Sequence, residues 1–130
     1  VVSKHLGWEE NVLVQKKGYR GPEIYLDHDE DDQTTARYLK RKSPHGLKRR
    51  YLDEIYGIID GVALGWGRAV VPLHLVYGDK RFEIIDREKV LKIPVYLHYY
   101  RQPFYTKLHH AVLKEIDNLD GLLHCKSHTR

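Results

Sequence analysis

The chain has 130 residues, 42% hydrophobic and 31% charged, with 22 Lys and Arg against 18 Asp and Glu and a formal net charge of +4. That length buries a real core within one domain of ordinary size, without staples. No apolar run approaches the roughly 20 residues of a membrane span, no apolar signal-peptide stretch follows the N-terminus, and the single cysteine, Cys125, excludes an internal disulfide and fits a reducing cytoplasm.

In chain order, Asn11–Gln15 (NVLVQ) reads as a short apolar strand, followed by a loop broken by Gly18, Gly21 and Pro22. Glu23–Asp27 reads as a second strand. Asp31 or Asp32 then caps a helix expected over Thr34–Arg41, with Lys40, Arg41 and Lys42 near its negative end. Ser43–Gly46 stops it. Lys48–Glu54 is the next strand candidate. Ile55, Ile58, Ile59, Val62 and Ala63 have helical spacing, with Asp53 as the expected cap and Gly65 and Gly67 as the expected stop. A buried strand Ala69–Val71 leads through Pro72 into a turn of helix, and Phe82–Ile85 is extended. Lys92–Gln102 is rich in β-branched and aromatic residues, hence a strand. Its alternation sends Tyr96, His98 and Tyr100 to one face, where core packing is expected. The last helix begins at Pro103, carries the stripe Phe104, Leu108, Ala111, Val112, Ile116 and Leu119, and closes at Gly121. Alternating strands and helices make this an α/β protein.

Residues 53–76, DEIYGIIDGVALGWGRAVVPLHLV, resemble the late half of the effector-binding domain of LysR-type transcriptional regulators. The likeness lies in a helix rich in Ile, Val and Ala, then Gly65-Trp66-Gly67, then Ala69-Val70-Val71-Pro72, then Leu75-Val76. Downstream, IPVYLHYYRQPFYTKLHHAVLKEI fits a returning strand and a terminal helix. Upstream, WEENVLVQKKGYRGPEIYLDHDEDD resembles the first crossing strand and the entry to the second lobe. The likeness covers roughly Leu6–Leu119. It implies a single lobe of a periplasmic-binding-protein-like fold: a mixed sheet flanked by helices, two hinge-crossing strands and a C-terminal helix. Residues 1–121 then form a partial effector-binding domain and residues 122–130 a flexible tail. The family's winged helix-turn-helix and most of its first lobe have no counterpart, so the chain reads as truncated.

The acidic bend Asp27–Asp32 invites a calcium reading, and its spacing answers it. Asp27, Asp29 and Asp31 occupy positions 1, 3 and 5 of an EF-hand loop, but position 6 is Asp32 instead of Gly and position 12 is Tyr38 instead of Glu. No metal is expected. The tail's His124, Cys125 and His128 lack a second ligand pair for zinc. In a two-lobed binder, helix N-termini face the ligand. The candidate ligand-binding residues are therefore Asp32, Thr34 and Thr35 at one helix start and Asp53, Ile55 and Tyr56 at the other. Trp66 is a candidate wall and Arg68 a candidate carboxylate clamp, each set against an ordinary packing or surface role. The surrounding negative charge favours a ligand with a cationic head, such as a basic amino acid.

Catalysis has little support: there is no nucleophile setting, no H-E-x-x-H and no P-loop, and the adjacent His109 and His110 do not share a helix face. The expected function is non-catalytic sensing of a small polar ligand, an amino acid or organic acid, without a cofactor. The expected partners are a second copy of the chain and full-length regulators, with neither membrane nor direct DNA contact. Two alternatives stand beside it: an interaction protein pairing with intact regulators, and a basic nucleic-acid module using Lys40–Arg50.

Overall fold

In the computed structural model, which describes residues 2–99, 108 and 110–116, the order is β1 (Val2–Lys16), β2 (Tyr25–Asp27), α1 (Thr34–Tyr38), β3 (Arg49–Tyr51), α2 (Ile55–Ala63), β4 (Ala69–Pro72), α3 (Leu73–Val76), β5 (Phe82–Ile84) and β6 (Leu91–Tyr99). Residues 108 and 110–116 are helical. The chain divides into two units, 1–10 with 92–130, and 11–91.

The central strand of the 11–91 unit is the second part of β1. It pairs antiparallel with β4 (Asn11↔Pro72 to Val14↔Ala69) and, on its other edge, with β5 (Val14↔Ile84 to Lys16↔Phe82). A strand flanked on both edges and covered on both faces has no polar side, which is why Val12, Leu13 and Val14 run as an unbroken apolar triplet, all buried. β2 and β3 pair in parallel, Tyr25↔Arg49 to Asp27↔Tyr51. Leu26 N–H donates to the Arg68 carbonyl (2.8 Å), and Arg68 N–H to that of Ile24 (2.8 Å), which docks this pair beside β4. β2, β3 and β4 therefore all end at the edge of the sheet where Asn11 lies.

Alternation along β1 splits the core. Val12 and Val14 meet Ile58, Ile59 and Val62 of α2, together with Leu26 and Val71. Leu13 points to the other face, where Tyr38 of α1 packs with Tyr25 and Val70. The stripe read from residues 55–63 is thus the inward face of α2, with Ile58, Ile59 and Val62 buried and contributing about 1.5–3 kcal/mol each, and Ile55 and Ala63 half-buried.

Three local expectations change. α1 ends at Tyr38, not Arg41, because Lys40 takes a left-handed φ of 57° and closes the helix. Its N–H donates to the Arg37 carbonyl and that of Arg41 to Ala36. This is the double hydrogen bond usually built on glycine. Arg37, not the Lys40–Lys42 run, holds the last turn. Asp53 does not cap α2: the cap is Glu54, in extended conformation, with no side-chain cap bond. Gly65 does stop α2, its N–H donating to Val62 and that of Trp66 to Gly61, whereas Gly67 lies beyond the stop.

In the other unit, β1 runs back to Val2 because β6 pairs with it. That partner lies some eighty residues away in sequence, which explains why Asn11–Gln15 looked complete in itself. Tyr96 and His98 share a face as expected, but the face is open. Tyr96 is 49% and Trp8 42% exposed. His5 contacts Trp8 edge-on (5.2 Å) and lies 5.3 Å from Tyr96, while Ser3 Oγ and His98 Nδ1 are 2.8 Å apart. Core packing does not describe this face. Of the terminal stripe, Leu108 and Val112 are exposed. Tyr100, Pro103, Phe104, Leu119, Gly121 and the tail 122–130 lie outside the described residues.

Candidate functional site

The carboxyl ends of parallel strands gather helix starts, and free amides with them. Here β2 ends at Asp27 and leads to α1, and its neighbour β3 ends at Tyr51 and leads to α2. Thr34 and Ile55 therefore stand at one end of the sheet.

Beneath them lies a buried charge pair. Arg49 Nη1 is 3.0 Å from Asp27 Oδ2, with side chains 8% and 2% exposed. The same guanidinium donates to the carbonyls of Asp32 (3.2 Å) and Glu30 (2.9 Å), so one side chain grips both the strand end and the acidic loop. The Thr35 hydroxyl donates to the other Asp27 oxygen at 2.5 Å. Burial pushes the Asp27 carboxyl above its ordinary range, against the hydrogen bonds from Thr35 and Arg49.

The remaining carboxylates are mostly occupied by their own loop. Asp32 accepts from His28 N–H (2.9 Å), Thr34 N–H (2.9 Å) and the Thr34 hydroxyl (2.6 Å). Asp29 accepts from Asp31 N–H (2.9 Å). These are side-chain turns that order a loop without any ion. Among the described residues no group of three or more acidic, His or Cys side chains could hold a metal. Asp32 also caps Thr34 one residue ahead of the geometric N-cap, Gln33. Burial opposes its ionisation, but the three donated hydrogen bonds outweigh this and hold it below its ordinary value.

That shift has a testable sign. A carboxylate held low stabilises the fold fully above about pH 4 and loses its contribution as pH falls through its depressed folded value. Thermal melts between about pH 5.5 and 2.5 are expected to show wild type losing more stability than Asp32→Asn. Parallel acid limbs would contradict the assignment.

Of the residues expected to bind, Asp32, Thr34, Asp53, Ile55 and Tyr56 lie at this end. Tyr56 is 61% exposed, and α2 starts without a side-chain cap. Thr35 is here too, but wholly buried against Asp27, so it supports the loop and has no exposed surface for a solute. Trp66 and Arg68 are not brought here. They precede β4 and sit at the amino ends of β2 and β4. Arg68 Nε donates to Gln15 Oε1 (3.0 Å) and Nη1 lies 3.7 Å from Glu23, which also accepts the Tyr25 hydroxyl. Burial and that bond push Tyr25 up to about 12. Arg68 is a structural tie between β1 and β2. Sequence reasoning missed Asp27 and Arg49 as a pair, because nothing local links residues 22 positions apart. It also missed a cleft of about 320 Å³ lined by Lys17, Val76, Asp79, Phe82, Glu83 and Arg87.

No protein-family model and no curated protein matches the sequence. Solved structures do match. ArgP from Mycobacterium tuberculosis aligns with a TM-score of 0.72 at 12% identity, over 92% of this chain and 46% of that one. Full-length LysG from Corynebacterium glutamicum, a LysR-type regulator with bound effector Arg, aligns at 0.69 and 11% identity, again over 92% and 46%. The bromide-bound regulatory domain of HypT from Salmonella typhimurium aligns at 0.65 and 16% identity, over 93% and 65%. The chain has the mixed α/β, periplasmic-binding-protein-like fold of LysR-type regulatory domains. The resemblance read from residues 53–76 is thereby borne out as a likeness of fold. The chain spans 46% of the length of ArgP and of LysG. Among the described residues no helix is long and apolar enough to cross a membrane.

Proposed function

We propose that this chain is an effector-binding module of a LysR-type regulator, cytoplasmic and non-catalytic, that takes a small amino acid with a cationic side chain. The observation that carries the reading is the pairing of α1 and α2 starts at adjacent parallel strand ends, beside an acidic loop held by Arg49. The uncapped start of α2, at Ile55 and Tyr56, suits the ligand's carboxylate. The exposed Glu30 and Asp31 suit its cation, and Asp32 and Thr34 form the rim. The arginine named as effector in LysG agrees with this chemistry.

A ligand preferring the native state raises the melting temperature, by about 2.7 kcal/mol of stability at a hundredfold excess over Kd. L-Arginine and L-lysine are expected to raise Tm in a titratable way, and organic acids without an amine to leave it unchanged. The reverse ranking would overturn the cationic assignment, and no shift with any of them would overturn the module itself.

The open face of the β1–β6 ribbon supports association. Two strands alone are marginally stable, and Trp8 and Tyr96 present an apolar surface of the kind that finds a partner. A second copy is the expected occupant, and an intact regulator bearing the matching ribbon is the alternative. A monomeric mass by light scattering at micromolar concentration would exclude the homodimer.

A further inference from the structure

The proposed effector end leaves unexplained the most basic segment of the 11–91 unit. Residues 37–50 carry seven of the 22 Lys and Arg residues and no Asp or Glu. Arg49 is the buried partner of Asp27. The other six, Arg37, Lys40, Arg41, Lys42, Lys48 and Arg50, are all exposed. Among the described residues, Arg37, Lys40, Lys42, Lys48 and Arg50 make no ion pair. Arg41 reaches only the His45 carbonyl, at 3.3 Å. Exposed cations usually lie among acids of opposite sign, and here the fold supplies none within the segment. Lys89 Nζ lies 4.5 Å from the Tyr38 ring centre, and Asp86 also acts on Tyr38, while the acidic loop 29–32 precedes α1.

Lys40 adds a second, independent observation. It holds a left-handed backbone at φ 57°, where a non-glycine residue costs about 1–2 kcal/mol. Glycine would close α1 there at less cost, yet the position carries a charge. Strain kept where a cheaper residue would serve points to use of the side chain.

We propose that the connection from α1 to β3, residues 37–50, is an electrostatic docking surface for the sugar–phosphate backbone of duplex DNA. The apolar residues of the segment argue against other anions. Tyr38 is buried, and Leu39 and Leu47 pack inward on Leu13 and Tyr25. An interfacial lipid binder needs an apolar face beside its cations, and a protein interface needs buried anchors and is poor in lysine. Dispersed Lys and Arg without anchors match a repeating phosphate lattice, one charge per roughly 1.7 Å of duplex. The surface runs from the last turn of α1 to the amino end of β3, whereas the helix starts follow the carboxyl ends of β2 and β3. The expectation of no direct DNA contact is reversed by this reading, which does not depend on the identity of any effector.

The test is fluorescence anisotropy of the full chain with a labelled duplex of about 20 base pairs and arbitrary sequence, titrated with salt. Binding is expected to weaken linearly in log–log form, with a slope near −0.9 per phosphate contacted. Replacing Lys40, Lys42, Lys48 and Arg50 together by Gln is expected to lower affinity at least about tenfold at about 50 mM salt and to flatten the slope by roughly three. A control with the same charge change, Lys17, Arg20, Lys80 and Lys92 to Gln, is expected to lose less than about threefold. Unchanged melting curves keep folding out of the comparison. The proposal fails if wild type does not bind at about 25 mM salt, or if the two variants lose equally. It also fails if phosphatidylserine vesicles or polyglutamate compete better than unlabelled duplex.

Discussion

Arg49→Ala is expected to destabilise the protein by about 3–5 kcal/mol at neutral pH, the range for removing one partner of a buried ion pair. The reason is what is left behind. Asp27 ends β2 with its side chain 2% exposed, and among the described residues only the Thr35 hydroxyl remains hydrogen-bonded to its carboxylate without Arg49. The Glu30 and Asp32 carbonyls lose their donors at the same time, so the acidic loop loosens along with the strand end. Asp27 is already pushed up by burial. In the variant it gains stability by taking up a proton, and a carboxyl with a raised folded value favours the fold below its unfolded value and loses that advantage as pH rises. Urea unfolding should therefore show a smaller penalty at about pH 4.5 than at pH 7.5. Replacing both partners, Asp27→Leu with Arg49→Met, is expected to recover most of the loss, since a buried pair is rarely better than a well-packed apolar one. A single variant within about 1 kcal/mol of wild type would show that the pair is not the keystone of this end.

The parts that could be read from the sequence are those whose cause is local. The helix over 55–63 announced itself because Ile55, Ile58, Ile59 and Val62 fall on one face, and the buried β4 because Ala69–Val71 is apolar on both sides. Gly65 marked the end of α2 for the reason a Gly usually does. The failures share one cause: the deciding contact comes from elsewhere in the chain. β1 looked five residues long until β6 supplied a partner for its earlier part. Arg68, read as either a ligand clamp or a surface pair, is tied to Gln15 and Glu23 by strand order, which spacing does not reveal. The spacing of the acidic bend departs from an EF-hand loop at Asp32 and Tyr38, which is as far as the local pattern goes. The bend's actual organiser, Arg49, sits across a parallel pairing that no window of sequence shows. Even the candidate site was half legible: two helix starts follow from two strand ends, but whether those strands are neighbours is a fact of topology.

The two glycines of Gly65-Trp66-Gly67 look equivalent in sequence and are expected to behave very differently. Gly65 has a left-handed φ of 81° and room for a methyl group, the nearest atom to an added Cβ being Lys16 Cδ at an ordinary contact distance of 3.6 Å. Gly65→Ala should cost about 1 kcal/mol, the strain of that backbone alone. At Gly67 the obstacle is space. An added Cβ would lie 2.6 Å from the Ile24 carbonyl oxygen, and that oxygen is backbone, fixed by the hydrogen bond from Arg68 N–H. To admit a methyl group, β2 must move away from β4. The two bonds that join them, Arg68 to Ile24 and Leu26 to Arg68, then stretch or break, at about 0.5–1.5 kcal/mol each. Leu26, 1% exposed and pressed between α2 and the sheet, is displaced with them. Overpacking of this kind adds about 1–3 kcal/mol, for a total near 3 kcal/mol. Since β2 carries Asp27 and anchors α1, the damage should reach the effector end, and Gly67→Ala should weaken any ligand-induced melting shift that Gly65→Ala leaves intact. Equal stabilities for the two variants would mean that β2 is not docked on β4 through this contact.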